Sequence, residues 1–446
     1  MNANEMMREG RFLDKDLLGE HRPPSERVDC EQVRFHDFYQ ASTSKDLLEK
    51  CGRFYGYLYD AKQKHQYLYR RTLYRGSSAR VVVFDVRAQR EREMIMMASN
   101  SYLDLTTDPR VVRAADEAQR RYGYGSGGVA LLSGTYEVHR KLEATIAECY
   151  GREDAVVFPT GYAANLGTLQ ALLSPGDLAI LDMYSHASLV DGTQLAGVTT
   201  KYFRHNDVQH LEELCRRLRS RFNGVLIAVD GVFSMDGDVC PLPDLSRVAK
   251  ENGARLLIDE AHAIGTIGPR GLGTEDRFGM IGAADIIAGT LSKAPGGLGG
   301  YVAGSHELVE YLRHFARSHI FSTSLPPPVA AGLIEAFHII RTDEPLRQRL
   351  GENARYFARE LQAAGFETGP TQTPIVPLIL GDELLARRMT HDLHEEGIFA
   401  SAVVYPAVAR TGARVRFSVM ATHTREDLDY VISTVKRLRV RYASGE

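Results

Sequence analysis

Lys293 and Asp259 are an amine and a carboxylate in matched positions. Lys293 lies in Thr290-Leu291-Ser292-Lys293-Ala294-Pro295-Gly296-Gly297, and 34 positions upstream is Asp259-Glu260-Ala261-His262. The run Leu256-Leu257-Ile258 reads as a strand ending at Asp259. Asp285-Ile286-Ile287-Ala288-Gly289 reads as a second strand, delivering Thr290 and then Lys293. Such a pair at the ends of neighbouring strands suits pyridoxal phosphate. The amine forms an imine with its aldehyde, and the acid keeps the ring nitrogen protonated so that the ring takes up electrons. An acid that ends a buried strand calls for a cation opposite it. The competing reading of Asp259 is a helix cap or a structural ion pair.

Other residues would complete this chemistry. Pro159-Thr160-Gly161-Tyr162-Ala163-Ala164-Asn165 follows a strand and opens a helix. Gly161 permits close backbone approach there, and the helix start offers free N–H groups to a phosphate. Thr290 adds a hydroxyl. His262 is spaced to meet the cofactor's phenolic oxygen. His186, in Ser185-His186-Ala187-Ser188, is a candidate to lie flat on the ring. Arg414-Val415-Arg416-Phe417-Ser418 alternates like a strand. An inward arginine there would grip a substrate carboxylate bidentately. Arg414 and Arg416 share a face, so periodicity does not choose between them. Gly123, Gly125 and Gly128 spell G-x-G-x-x-G but follow a helical segment, 111–122, rather than a strand. They read as a flexible active-site loop, not as a nucleotide-binding turn.

The elements that must hold these residues alternate helix and strand. Ala155-Val156-Val157-Phe158, Leu178-Ala179-Ile180-Leu181 and Val225-Leu226-Ile227-Ala228-Val229 are continuous apolar runs, as in a parallel sheet covered on both faces. Segment 136–150 puts Val138, Leu142, Ile146 and Cys149 on one helical stripe. Val81-Val82-Val83-Phe84 and Met94-Ile95-Met96-Met97 read as two strands joined by a charged turn. Residues 1 to about 30 read as a mobile arm. Ten of the chain's 38 aromatics fall between Phe35 and Tyr74, among basic residues. They either pack this segment onto the rest of the protein or a partner subunit, or form a surface for an acidic carrier protein or a lipid interface. The expected division is an N-terminal extension over 1–90, a large α/β domain over 91–335 and a small α+β domain over 336–446.

The bulk numbers narrow the class. The chain has 446 residues, 44% apolar and 25% charged, with a net charge of −3. This is a soluble globular composition without a nucleic-acid footprint. The five cysteines are scattered and hold no CxxC pair. That favours a reducing, cytoplasmic setting and argues against a structural zinc site or other metal. No secretory signal and no run long enough to span a bilayer is seen.

Taken together, the motifs resemble those of the α-oxoamine synthases, which are fold-type I pyridoxal phosphate enzymes. The resemblance runs from about 100 to 436. It is carried by Asn100-Ser101-Tyr102-Leu103, Leu132-Ser133-Gly134-Thr135, Thr160 to Asn165, Ser185 to Ser188, Asp230-Gly231-Val232-Phe233-Ser234-Met235-Asp236-Gly237-Asp238, Asp259 to His262, Thr290 to Lys293, Phe321-Ser322-Thr323-Ser324 and Met420-Ala421-Thr422-His423-Thr424. It implies Lys293 as the imine lysine, Asp259 as the ring-nitrogen partner, His262 at the phenolic oxygen and His186 stacked on the ring. It further implies Gly161, Tyr162, Ser234 and Thr290 as cofactor contacts, and Thr323 as a phosphate contact given by the partner subunit of a homodimer. Arg416, rather than Arg414, becomes the carboxylate-binding arginine, with Asn100 and Ser133 on the substrate side.

The activity implied is a decarboxylative condensation of an amino acid with an acyl thioester, carried by coenzyme A or an acyl carrier protein. Motif texture is closest to bacterial serine palmitoyltransferases, so serine, a long acyl chain and sphingolipid biosynthesis are the first expectation. Glycine or alanine with a carrier-bound or short donor in secondary metabolism is the second. Another reaction on the same fold, or an inactive scaffolding subunit, would be the alternative of a different kind. Three departures stand near the expected substrate entrance. Asp104 replaces the usual glycine, the stretch Gly127-Gly128-Val129-Ala130 lacks the arginine common just after the glycines, and Pro295 follows the lysine by two.

Overall fold

The structure, a computed structural model, describes residues 23–39, 45–85 and 90–444. The two valine- and methionine-rich runs form a hairpin. β1 (Arg80–Asp85) pairs antiparallel with β2 (Arg90–Met96), Val81 facing Met94.

The next seven strands are β3 (Asp154–Phe158), β4 (Leu178–Asp182), β5 (Thr199–Phe203), β6 (Val225–Asp230), β7 (Arg255–Asp259), β8 (Ile286–Thr290) and β9 (Gly300–Gly304). They make one sheet in the order β3-β9-β8-β7-β6-β4-β5. Only β9 runs against its neighbours, and the other pairings are parallel. Every residue of β4, β6, β8 and β9 is buried. Side chains alternate between two cores. Ile180, Ile227, Ile258 and Ile287 face helices Glu137–Tyr150 and Pro327–Thr342, while Ala179, Leu226, Leu257 and Ala288 face helix Gly161–Leu172. Burial on both faces explains runs without polar alternation. Each fully buried leucine or isoleucine contributes about 1.5–3 kcal/mol. β4, β6, β7 and β8 end in Asp182, Asp230, Asp259 and Thr290. A parallel sheet opens its binding crevice at such ends.

The C-terminal unit holds β10 (Ile375–Gly381), β11 (Ile398–Phe399), β12 (Ser401–Val403) and β13 (Ala413–Ser418). β13 lies between β10 and β12, antiparallel to both. Its core combines Val376, Val415 and Phe417 with Phe357, Leu393 and Val431. Ile95 and Met97 enter the same core, and β11 pairs with β2. The expected divisions at 90/91 and 335/336 therefore cross a hairpin and helix Pro327–Thr342, elements that the chain keeps whole.

The described part of the leader is anchored to the rest of the chain. The first 22 residues of the expected arm lie outside the described residues. Val28 and Cys30, which belong to that arm, are buried with Tyr57 and Ala61, because their apolar side chains have found a core. Phe35 packs edge-on against Phe54, Tyr57 and Tyr69. The Phe35 amide donates to Glu383 at 2.8 Å, Arg34 pairs with Asp382 at 3.0 Å, and Arg71 lies 3.4 Å over the Phe399 ring. The aromatics thus fasten the leader to the C-terminal unit. The G-x-G-x-x-G segment follows helix Pro109–Tyr122, with Gly123 as its C-cap at φ 88°.

Candidate active site

The sheet's crevice is a cavity of about 250 Å³ whose walls include Thr160, Gly161, Tyr162, Asn165, His186, Asp230, Asp259, His262, Thr290 and Lys293. Seven of these are residues expected from the sequence. Lys293 comes three residues after β8, and Asp259 ends β7. Among the described residues Lys293 forms no ion pair, so amine and carboxylate share the cavity with space between them. Burial lowers the Lys293 pKa to about 8, against the pull of Asp259 and Asp230 and with help from Arg416.

Asp259 is held at both oxygens. Asn165 Nδ2 donates to Oδ2 at 2.6 Å, and the Ala261 amide donates to Oδ1 at 2.9 Å. Asn165 Nδ2 also donates to Ser188 Oγ at 2.8 Å, which fixes the amide. Asp230 lies opposite Asp259 in the sheet register. Burial, and then the charge of Asp259, push its carboxyl well above the usual range, while the His186 amide donates to its Oδ1 at 3.1 Å. The His186 ring is exposed, and its Nδ1 sits 2.8 Å from Ser188 Oγ. Desolvation by the surrounding protein lowers its pKa.

Helix Gly161–Leu172 points its N-terminus at the cavity. Thr160 Oγ1 caps the Ala163 amide at 3.0 Å, and the amides before it have no acceptor within the helix. A Cβ on Gly161 would stand 2.8 Å from that of Thr290, so only glycine lets backbone and hydroxyl close on one spot. Thr290 Oγ1 lies 2.9 Å from Ser292 Oγ. Two hydroxyls and a helix start form a cradle for a phosphate, and the buried Asn165 Oδ1 has no partner. Amine, ring-facing acid, histidines and cradle together fit pyridoxal phosphate.

Arg416 and Arg414 separate by their partners. Arg414 donates to Asp236 Oδ1 at 2.7 Å, a structural ion pair. Arg416 is 9% exposed. It donates to the Ser234 carbonyl at 2.6 Å, Ser418 Oγ at 2.9 Å, Asn100 Oδ1 at 3.1 Å and the Tyr102 hydroxyl at 3.2 Å. All four are neutral, and among the described residues no carboxylate pairs with it. A buried guanidinium without a counter-ion is suited to an incoming carboxylate. The Tyr102 hydroxyl lies 2.8 Å from His262 Nδ1, so the arginine network reaches the cavity wall. Burial, with the charges of Lys293 and Arg416, holds the His262 pKa well below its ordinary value, so the ring is neutral.

Ser133 and Thr323 lie elsewhere in this chain. Ser133 is exposed in the turn Ala130–Gly134. Thr323 bridges to Val129 and lines a separate cavity of about 170 Å³. The sequence reading assigned no role to Tyr102, Asn165 or Asp230, although all three lie inside motifs it quoted. Asp230 carried the same signal as Asp259, an acid closing an apolar strand. Of the departures, Asp104 is buried rather than at an entrance. It keeps a left-handed backbone at φ 59°, and its Oδ2 accepts from Thr422 at 2.7 Å and Ser78 at 2.5 Å. It replaces a glycine's conformational freedom with a clasp between leader and C-terminal unit. Pro295 is buried as well.

Comparison with known proteins agrees with this geometry. The sequence pattern of aminotransferase class I and II matches residues 92–435. The 8-amino-7-oxononanoate synthase of Thermoanaerobacter pseudethanolicus is 42% identical over 348 residues, which is 78% of this chain and 88% of that protein. The 4-hydroxy-2,2'-bipyrrole-5-methanol synthase PigH of a Serratia species is 38% identical over 397 residues, 89% of this chain and 61% of its own length. A variant of serine palmitoyltransferase from S. paucimobilis, solved with a bound pyridoxal phosphate–myriocin aldimine, superposes with a TM-score of 0.83 at 33% identity, covering 90% of this chain and all of that one. The chain belongs to the α-oxoamine synthases, pyridoxal phosphate-dependent acyltransferases on the class I and II aminotransferase fold.

Proposed function

We propose that this protein condenses a small amino acid, with serine the first choice, with a long-chain acyl thioester. An α-aminoketone, carbon dioxide and the free thiol leave, and one proton is taken up. The observation that carries the amino-acid half of the reading is Arg416, a buried guanidinium with neutral partners, linked through Tyr102 to the cavity that holds Lys293, while serine and the long chain rest on the likeness to serine palmitoyltransferase.

Lys293 would hold the cofactor through Nζ, Asp259 at the ring nitrogen, and Gly161, Tyr162 and Thr290 at the phosphate. Pyridoxal phosphate, when bound, supplies an aldehyde that condenses with amines and a ring that draws electrons from the attached carbon. Arg416 grips the amino-acid carboxylate and sets which Cα bond faces Lys293. Nζ, displaced by the substrate amine, takes the Cα proton. Its lowered pKa of about 8 lets it serve as a base near neutral pH. Asp259 keeps a proton on the ring nitrogen, and Asn165 holds the carboxylate in place for that task. His186 covers one face of the ring. Neutral His262, with Nδ1 turned to Tyr102, keeps Nε2–H for the cofactor's oxygen. After carbon dioxide leaves, Nζ returns a proton to the same carbon.

Ser234 meets Arg416 through its carbonyl, and Asn100 through its amide oxygen. Thr323, outside its own chain's Lys293 cavity, supports the reading of a homodimer in which each copy completes the other's site. A second amino-acid and donor pair, glycine or alanine with a carrier-bound acyl group, is favoured by one observation. The chain is 42% identical to an 8-amino-7-oxononanoate synthase but 33% identical to serine palmitoyltransferase.

The test is to load the protein with pyridoxal phosphate and add single amino acids. A shift in near-visible absorbance with serine, followed by thiol and carbon dioxide release on adding palmitoyl-coenzyme A, is the expected result. A response to glycine or alanine alone would replace serine. Absence of thiol release with both coenzyme A and carrier-bound donors would end the reading.

A further inference from the structure

His205 lies outside the cavity, yet it joins two loops that shape the site. It follows β5 by two residues, and both ring nitrogens meet buried carboxylates. Nδ1 is 3.0 Å from Asp182 Oδ1, and Nε2 is 2.8 Å from Asp238 Oδ2. Asn206 repeats the bridge, with its amide donating to Asp182 Oδ2 and its Nδ2 to Asp238 Oδ2, each at 2.8 Å. The imidazole stacks on Tyr184 at 4.5 Å and meets Phe233 edge-on at 4.4 Å. A ring with an acceptor at each nitrogen carries both protons. Burial opposes that charge, but the bonds to Asp182 and Asp238 outweigh it and raise the pKa to about 9.

Each carboxylate governs one loop. Asp182 ends β4, its Oδ1 accepts from the Tyr184 amide at 2.8 Å and its carbonyl from the Ser185 amide at 3.0 Å. That turn presents His186. The Asp238 carbonyl accepts from the Phe233 amide at 3.0 Å and closes the 233–238 loop. Within it the Ser234 carbonyl holds Arg416 Nε at 2.6 Å.

We propose that His205 is a positioning residue: its imidazolium ties the loop of His186 to the loop that holds Arg416, so the ring-covering wall and the carboxylate grip keep one spacing. The proposal rests on the functional reading above for what the two loops contact. Without His205, two buried carboxylates face each other with no cation between them and only the neutral Asn206 bridge remains, so the loops hold their spacing less firmly.

The test uses full-length His205→Phe, which keeps packing between Tyr184 and Phe233 but removes both donors. A second variant, His205→Gln with Asp238→Asn, restores a neutral donor–acceptor bridge. Measured are the thermal midpoint, the amino-acid dissociation constant and KM of the cofactor-loaded protein, kcat, and the ¹⁵N-histidine resonances of the cofactor-free protein, with His186 assigned from His186→Asn. In His205→Phe the amino-acid dissociation constant and KM are expected to rise about tenfold, as for loss of a charge-assisted bond. The change in kcat is expected to be smaller, and the His186 resonances to move. The double variant should regain most of the affinity. Unmoved His186 resonances with unchanged affinity, and only the thermal midpoint lowered, would overturn the proposal and leave His205 a stabilising residue. Wild-type protein that responds to no amino acid would overturn the functional reading instead. The His186 resonances, read without cofactor or substrate, then decide the positioning claim.

Discussion

The Tyr102 hydroxyl stands 2.8 Å from His262 Nδ1 while accepting a hydrogen bond from Arg416 at 3.2 Å. One fully buried phenol thus connects the cavity's histidine to the arginine of the C-terminal unit. Tyr102→Phe keeps the ring and removes this link, together with the hydroxyl's 3.3 Å bond to Asn100 Oδ1. A buried hydrogen bond to a charged group contributes about 1.5–3 kcal/mol. The amino-acid KM should rise by roughly one order of magnitude, with near-wild-type cofactor binding. Steady-state kinetics beside a cofactor titration would check this, and an unchanged KM would remove Tyr102 from the network.

Arg416→Ala and Arg414→Ala should fail in different ways. Arg414 neutralises Asp236, so its loss leaves a half-buried carboxylate unpaired and lowers the unfolding free energy by about 1.5–3 kcal/mol. Loss of Arg416 removes the carboxylate grip, so the amino-acid-dependent absorbance change should weaken by about a hundredfold or vanish. Urea unfolding and amino-acid titration of both variants separate the two roles. The reverse pattern would exchange the assignments.

Lys293→Ala should abolish turnover and the borohydride-sensitive absorbance band while leaving the circular dichroism of the fold intact. Normal turnover in this variant would contradict the proposed chemistry.

The acidity of Lys293 makes a signed prediction for the wild type. Its amine attacks only when neutral, so the rate at which cofactor-free protein takes up pyridoxal phosphate should climb as pH rises through about 8. Stability follows with the same sign. The folded chain gives up this proton before the unfolded chain does, so this group's contribution to stability grows between about 8 and the ordinary 10.5. Stopped-flow absorbance across pH would show the first effect. A rate that rises only above pH 10 would mean that the burial does not lower this amine.

Asn165→Leu should weaken the cofactor's hold chiefly by releasing Asp259, beside any loss from Asn165's own place in the cavity wall. Asp259 loses the 2.6 Å bond to Oδ2, and its carboxylate is free to turn. The cofactor dissociation constant should rise by about tenfold or more. Dialysis followed by absorbance would reveal the leak, and full retention of cofactor would show that the Ala261 amide alone suffices.

Much of the site was legible in the chain because its residues end elements that are themselves legible. Continuous runs such as Leu256-Leu257-Ile258 mark buried parallel strands, and a charged residue closing such a run stands out against the cost of burying it. Lys293, Asp259, His186, His262, Gly161, Tyr162 and Thr290 came together as expected, each at or just beyond an element's end. Chain order and side-chain period determined this much.

Partnerships between distant segments were decided only in three dimensions. Period two placed Arg414 and Arg416 alike, and only the tertiary structure gave one an aspartate and the other a ring of neutral oxygens. Asp104 looked like a changed entrance residue until its left-handed backbone and its bonds to Ser78 and Thr422 showed a clasp across the chain. The sequence placed many aromatics in the leader, and only the tertiary structure showed that Phe35 packs against helix Glu49–Gln63 and that its amide bonds Glu383. The physical reason is common to all three. Amphipathic period reports which side of an element is buried, whereas the partner found there depends on which other element packs against it.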